Sequence, residues 1–410
     1  MKHDPERSAR RRFLKATGGA GVTALLAACQ SMVGQPEAGS GRSARFAYVG
    51  AFTIRAPGGR SQRADASPAV GISVYAVAAN TGALASVQTV PSPNPAYLAL
   101  HPSQRYLYAV NEIRDFGAKD GTGSIEAYAI DEQSGRLQLV NRQAVGAIPA
   151  HLAPDPAGRF LVIATYVGGT FQVLPIRADG GLDPVTAELA QVGSGPHQRQ
   201  QAPHPHSVVF DPAGRFIAAA DLGIDKVEIF RLDAGRLARV GAQPLPAGSG
   251  PRHLAFHPDG RTLYVINELN ATITAFRYDP ATGTLGNAIQ TVATVPADFP
   301  ANKSTAEIRV HSSGRFLYGS NRRFEAHPLA DSVAKFKIGA TGALEPIGHL
   351  TEGIAFPRTM NFDPTGTWLY VLNQKGDTIV QYAVSPATGD LVPTGRVTDA
   401  VTPACIVFKQ

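Results

Sequence analysis

Residues 250 to 270 read GPRHLAFHPDGRTLYVINELN, and two side chains in this stretch, Arg252 and Glu268, are not scaffold material. An arginine offers a rigid fork of donors that can hold an anion or the oxyanion of a tetrahedral intermediate. A carboxylate or an imidazole can take a proton from an attacking water. The segment HQRQQAPHPHSV contributes His197, Arg199, His204 and His206. An imidazole near its ordinary pKa of about 6.5 suits general-base work, although a solvated loop with incidental histidines reads the same way. In EIRVHSSGRF, Ile308 and Val310 alternate with Glu307 and Arg309, so a strand is expected with Arg309 on its polar face. Such an arginine either meets ligand or forms a structural ion pair. No G-x-S-x-G nucleophile motif occurs, which points to activated water rather than a covalent acyl-enzyme. The histidine spacing matches no metal-ligand pattern, so neither a metal nor an organic cofactor is expected.

The elements that must position these residues form a repeat. Apolar strand, His-Pro or Asp-Pro, Gly-Arg turn and apolar strand recur as PAYLALHPSQRYLYAVNE from 95, PAHLAPDPAGRFLVIAT from 149 and PHSVVFDPAGRFIAAAD from 205. PRHLAFHPDGRTLYVIN from 251, AEIRVHSSGRFLYGSN from 306 and PRTMNFDPTGTWLYVLN from 357 continue it, at a period of about 50 residues. Each copy is followed by a third strand such as ATITAFRYD, a turn such as PATGTL and a fourth strand, which makes one propeller blade. Two fragments remain. FAYVGAFT and GISVYAV match second and third strands without a first, and PACIVFKQ, from Pro403, matches a first strand. The fold expected is all-β, a seven-bladed β-propeller closed by pairing of the C-terminal strand with the N-terminal blade, which leaves no open sheet edge there.

Within each copy the two strands form a hairpin about the Gly-Arg turn, and opposed positions in a hairpin have a constant sum. Arg252 lies eight residues before Gly260 and Glu268 eight after it, so both are expected at the same end of the hairpin, on one rim of the central channel. The position eight before the turn holds Ala96, Ala150, His206, Arg252, Ala306 and Arg358, with Ala404 in the closing strand. Alanine is the default there, and the three departures all carry acid-base or cationic chemistry. The opposite arm holds Glu112, Tyr166, Leu222, Glu268, Arg322 and Gln374. His206, Arg252, Glu268 and Arg309 are therefore the catalytic candidates, with His204, Arg358, Arg322 and Glu112 as substrate-binding candidates.

The chain has 410 residues, 44% hydrophobic and 17% charged, with 42 glycines and 31 prolines, as suits a large globular domain rich in turns. Its net charge of +6 owes much to Lys2, Arg7, Arg10, Arg11, Arg12 and Lys15, so the basic balance implies no nucleic-acid partner. Two cysteines, Cys29 and Cys405, imply no disulfide framework. ARRRFLKATGGAGVTALLAAC resembles a twin-arginine export signal, and Leu26-Ala27-Ala28-Cys29 resembles a bacterial lipobox that would lipidate Cys29. The organisation expected is a signal peptide over 1–29, a flexible tether over 30–43 and a propeller over 44–410. The protein would be exported to the periplasm, with a lipid anchor as its only membrane contact.

GPHQRQQAPHPHSVVFDPAGRFIAAADLGIDKVEIF, GPRHLAFHPDGRTLYVINEL and AEIRVHSSGRFLYGSNR together resemble the signatures of the lactonase seven-bladed propellers, over roughly residues 45 to 410. That family includes 6-phosphogluconolactonase and a fungal carboxy-muconate lactonizing enzyme. The resemblance implies an active site of one histidine, two arginines and one glutamate. By motif these fall on His206 (or His204), Arg252, Arg309 and Glu268. It also implies hydrolysis of a small sugar lactone by activated water. Two other readings stay open: a lactonizing isomerase acting on muconate-type acids, and a non-catalytic periplasmic binding scaffold. Residues 55–70 and 324–331 stand as insertions after second strands, near the functional rim.

Overall fold

The computed structural model describes residues 43–53, 70–299, 303–324 and 331–410. The expected signal peptide with Cys29, nearly all of the tether, and most of the two insertions lie outside the described residues.

Among the described residues there are twenty-eight strands, numbered β1 to β28 along the chain, in seven four-stranded antiparallel sheets, and no α-helix. The first sheet has the order β28 (Pro403–Lys409), β1 (Phe46–Ala51), β2 (Gly71–Val77) and β3 (Leu84–Pro91). The two terminal fragments thus complete one blade, as expected. The innermost strands of the other blades are β4 (Pro95–Leu100), β8 (Pro149–Pro154), β12 (Pro205–Phe210), β16 (Pro251–Phe256), β20 (Lys303–Val310) and β24 (Pro357–Phe362). Each of these seven strands touches the next, and β24 touches β28, which returns to β4, so the ring is closed.

The second strands show why the sequence folds this way. Strand β17 (Thr262–Asn267), TLYVIN, is buried at every position because a neighbouring blade covers each face. β-Branched and aromatic side chains fit such a doubly covered pleat. The repeated tyrosine of these strands also ties one blade to the next. Tyr48 donates to the Gly135 carbonyl, Tyr264 to Gly342, Tyr318 to Gly389 and Tyr370 to Gly82. The last of these crosses the closure. The hairpin turns need a left-handed residue, and Gly260 supplies it at φ 67°. In the copy that reads HPSQR the same conformation falls on Gln104, at φ 57°.

The hairpin register differs from the constant-sum expectation. His253 pairs with Ile266 and Leu254 with Val265, but Pro251 pairs with Asn267, so Arg252 is an extra, bulged residue opposite no partner. The same shift occurs between Pro95 and Tyr97, Pro149 and His151, Pro205 and Ser207, and Pro357 and Thr359. The variable position of the repeat is therefore the bulge residue of each blade. A β-bulge bends its strand and re-aims the side chain. That is how His206, Arg252 and Arg358 leave the ladder and gather at one mouth of the channel.

Candidate active site

Glu268 follows β17 directly and is 3% exposed. Three arginines from three parts of the chain converge on it. Arg252 Nε lies 3.0 Å from Oε2, and Arg199 Nη1 (2.7 Å) and Arg322 Nη2 (3.2 Å) share Oε1. The Ser304 hydroxyl also donates to Oε1, at 3.1 Å. The Arg252 contact is a charge contact without an aligned hydrogen bond. Arg252 instead donates from Nη1 to the Ala306 carbonyl at 2.6 Å, while Arg322 donates to Ser304 Oγ and the Thr305 carbonyl.

Burial works against the Glu268 carboxylate, but the charges of Arg199, Arg322 and Arg252 outweigh it and hold the carboxyl well below the usual range. The guanidiniums respond in opposite directions. Glu268 raises Arg199, whereas burial pushes Arg252 and Arg322 down. An arginine stays protonated in either case, so the group whose state is decided here is the carboxylate, and it is ionised. With both oxygens occupied it is a poor proton acceptor. Its physical effect is to hold three cations close together against their mutual repulsion.

His206 is the bulge residue of β12 and is 6% exposed. Burial, and then the charges of Arg252, His253 and Arg358, keep its imidazole well below the ordinary histidine value. It is neutral at physiological pH, and its Nδ1 has no hydrogen-bond partner among the described residues. Tyr166 stands edge-on to it at 5.6 Å between centroids and stacks flat on His204 at 4.3 Å. Tyr166 Oη accepts from Arg199 at 3.3 Å. Arg358 pairs with Glu112 at 3.0 Å and lies over the Phe52 ring at 4.5 Å. The side chains of Arg199, Arg358 and Glu112 are 38%, 18% and 24% exposed, so these three line the open part of the cup while Arg252, Arg322 and Glu268 form its floor.

Of the sequence candidates, His206, Arg252, Glu268, Arg322, Arg358, Glu112 and His204 thus meet around one cup. Arg309 does not join Glu268. It lies one layer deeper in the channel, bonded to the Met360 carbonyl (3.0 Å), the Tyr97 hydroxyl (3.3 Å) and Glu307 (3.3 Å). The second deeply buried arginine on Glu268 is Arg322, from the end of β21 (Phe316–Arg323). Sequence reasoning passed over Arg199 and Tyr166 as site residues. Tyr166 occupies the same arm position as Glu268 in its own blade, which was a usable signal. Arg199 sits in a loop between blades, where the repeat carries no register. Among the described residues no group of three or more His, Cys, Asp or Glu is arranged to hold a metal ion.

The profile of the family described as Lactonase, 7-bladed beta-propeller matches residues 47–408. A 6-phosphogluconolactonase of Bacillus subtilis is 34% identical over 317 residues, covering 77% of this chain and 87% of that protein. A 6-phosphogluconolactonase of Formosa agariphila is 32% identical, covering 84% of this chain and 94% of its own. Among solved structures, the periplasmic gluconolactonase of Pseudomonas aeruginosa superposes with a TM-score of 0.79 at 31% identity, over 89% of this chain and 99% of that one.

Proposed function

The chain belongs to the lactonase seven-bladed β-propeller family, and from that premise we propose that it hydrolyses a sugar lactone by attack of an activated water. The observation that carries this reading is the cup itself. A neutral, partly unpartnered imidazole, His206, stands beside guanidiniums that Glu268 keeps in place. His206 takes a proton from water as the new bond to the lactone carbonyl carbon forms. Arg358 and Arg199, the accessible guanidiniums, hold the oxyanion or an anionic substituent of the substrate. The ring C–O bond then breaks, His206 returns its proton to the leaving oxygen, and the hydroxy acid so formed ionises to release one proton.

Glu268 acts as the anchor of Arg199, Arg252 and Arg322 rather than as the base. Four guanidiniums face two carboxylates, Glu268 and Glu112, across the cup. That excess of positive charge favours lactones carrying a carboxylate or phosphate. Arg309 serves the wall of the channel rather than the substrate. The twin-arginine motif and the lipobox at Cys29 support export to the periplasm and lipid anchoring there. The test is hydrolysis of gluconolactone and 6-phosphogluconolactone by the purified protein, with His206→Gln and Arg358→Ala beside it. Folded variants that retain full activity sink the assignment of these two residues. A parent that opens neither lactone sinks the function.

A further inference from the structure

Beneath the cup the channel is closed by a second ring of side chains. Tyr97, His151, His253, Glu307, Thr359 and Cys405 occupy the position after the bulge in six of the blades, and Ser207 holds it in the seventh. His253 Nδ1 lies 3.0 Å from Glu307 Oε1, and Thr359 donates to Glu307 Oε2 at 2.7 Å. The His253 ring is 5.2 Å from that of His206 above and 5.4 Å from that of His151 beside it. His151 rests on Tyr97 at 3.9 Å. At these separations one bridging water can join the nitrogens of neighbouring rings. Three buried polar atoms of this row, His206 Nδ1, His151 Nδ1 and Ser207 Oγ, have no partner among the described residues. An unpaired buried polar group is costly, and ordered water is the usual remedy.

Below the ring a vestibule of about 310 Å³ opens at the mouth opposite the cup, walled by Ala99, Ala153, Val209, Arg309, Asn361 and Val407. These residues are half-buried, whereas His151 and His253 are 5% and 4% exposed, so solvent reaches one side of the row.

We propose that His206, His253 and His151, with Glu307, form a relay that carries the proton released by lactone hydrolysis from the cup to this lower vestibule. The inference rests on the lactonase reading above. Opening a lactone with water gives a carboxylic acid, which ionises at neutral pH and releases one proton per turnover. Upward, the cup presents guanidiniums, which accept no proton and repel one electrostatically. Downward stand imidazoles, and the guanidinium on that side, Arg309, has its charge matched by Glu307 at 3.3 Å. With Nδ1–H of His253 directed at Glu307, Nε2 receives the proton and the resulting imidazolium sits against the carboxylate. Glu307, kept ionised by Arg309 and Thr359, balances that imidazolium, which hands the proton through water to His151 and so to solvent in the vestibule. No electron moves, and the imidazole returns to its starting tautomer after exchange with water.

The experiment measures kcat and KM of the full chain against buffer concentration at constant ionic strength, with imidazole as the added carrier. His253→Gln and His151→Phe interrupt the row, and Ala153→Leu narrows the vestibule without touching the cup. The expected result is a fall in kcat of tenfold or more in each, with KM unchanged, and recovery as imidazole is raised. Parent kcat should not respond to imidazole. An active parent whose three variants keep its kcat overturns the relay, and so does a loss of kcat that no buffer restores, since that marks a structural role. A parent that hydrolyses no sugar lactone fails on the function instead, and the two failures are told apart by the parent alone.

Discussion

Replacing Glu268 by Gln is the sharpest test of how the cup is held together. The amide is nearly isosteric, so no cavity forms, and what is lost is one negative charge. Arg252 and Arg322 are then left with no counter-charge at 3% and 4% side-chain exposure. Breaking a buried ion pair by removing one partner costs about 3–5 kcal/mol. Arg199, 38% exposed, adds little, because solvent-screened pairs are worth roughly 0–1 kcal/mol. The expected loss is therefore about 3–5 kcal/mol, a large share of the roughly 5–15 kcal/mol that stabilises a typical domain. Urea unfolding followed by circular dichroism at pH 7 measures it.

The sign with pH follows from the lowered carboxyl. Its stabilisation is complete above the ordinary glutamate value of 4.5 and fades as pH falls below it, so parent and variant should converge in acid. Adding Arg322→Met to Glu268→Gln removes one of the stranded cations and should recover at least about 1 kcal/mol. Lactonase activity should not return with it. A single variant within 1 kcal/mol of the parent, or a double variant no more stable than the single, would refute the view that Glu268 is the charge anchor.

Other outcomes follow from the same contacts. Deleting residues 403–410 removes β28 and its pairing with β1, exposing a sheet edge at the closure. The truncated chain should lose its cooperative thermal transition and aggregate. Arg358→Met should raise KM for phosphorylated or carboxylated lactones by roughly tenfold or more, on the usual worth of a charge-assisted hydrogen bond, and change KM for neutral ones far less. Steady-state kinetics on matched substrates decide this, and an equal change on both would contradict an anion-binding role. Asp221, at the end of β13 (Ile217–Asp221), is raised by burial to about 6 although its Oδ1 accepts from the backbone of His204 and Gly223. A raised carboxyl favours folding below its unfolded value and loses that benefit as pH rises through the folded one. The stability of Asp221→Asn relative to the parent should therefore improve by on the order of 2–3 kcal/mol between pH 4 and pH 7. Paired denaturation curves at the two pH values would show it, and a constant difference would count against it.

Much of the architecture was legible because a propeller is a repeat. PRHLAFHPDGRTLYVIN carries its own strand, turn and strand signals, and the half-copies FAYVGAFT and PACIVFKQ announce the closure. Alignment of the copies also exposed the variable position, since Ala96, Ala150 and Ala306 stand where His206, Arg252 and Arg358 do. The reading stopped short where a contact depends on atoms outside the repeat. A one-residue bulge at Arg252 leaves no mark in the spacing, because the extra residue occurs in every copy and cancels from the comparison. Arg199 lies in a loop without register, and its bond to Glu268 spans 69 positions.

By itself the sequence determined the blades, their number, the strand that closes the ring and the mouth at which the unusual residues emerge. All of these follow from local periodicity and turn chemistry repeated seven times. Only the tertiary structure decided which charges meet. Arg309 and Arg322 sit on adjacent strands of one blade, yet burial and direction take the first to Glu307 and the second to Glu268. Pairing of this kind depends on distances across the channel between strands remote in the chain, and no periodicity along a chain encodes such a distance.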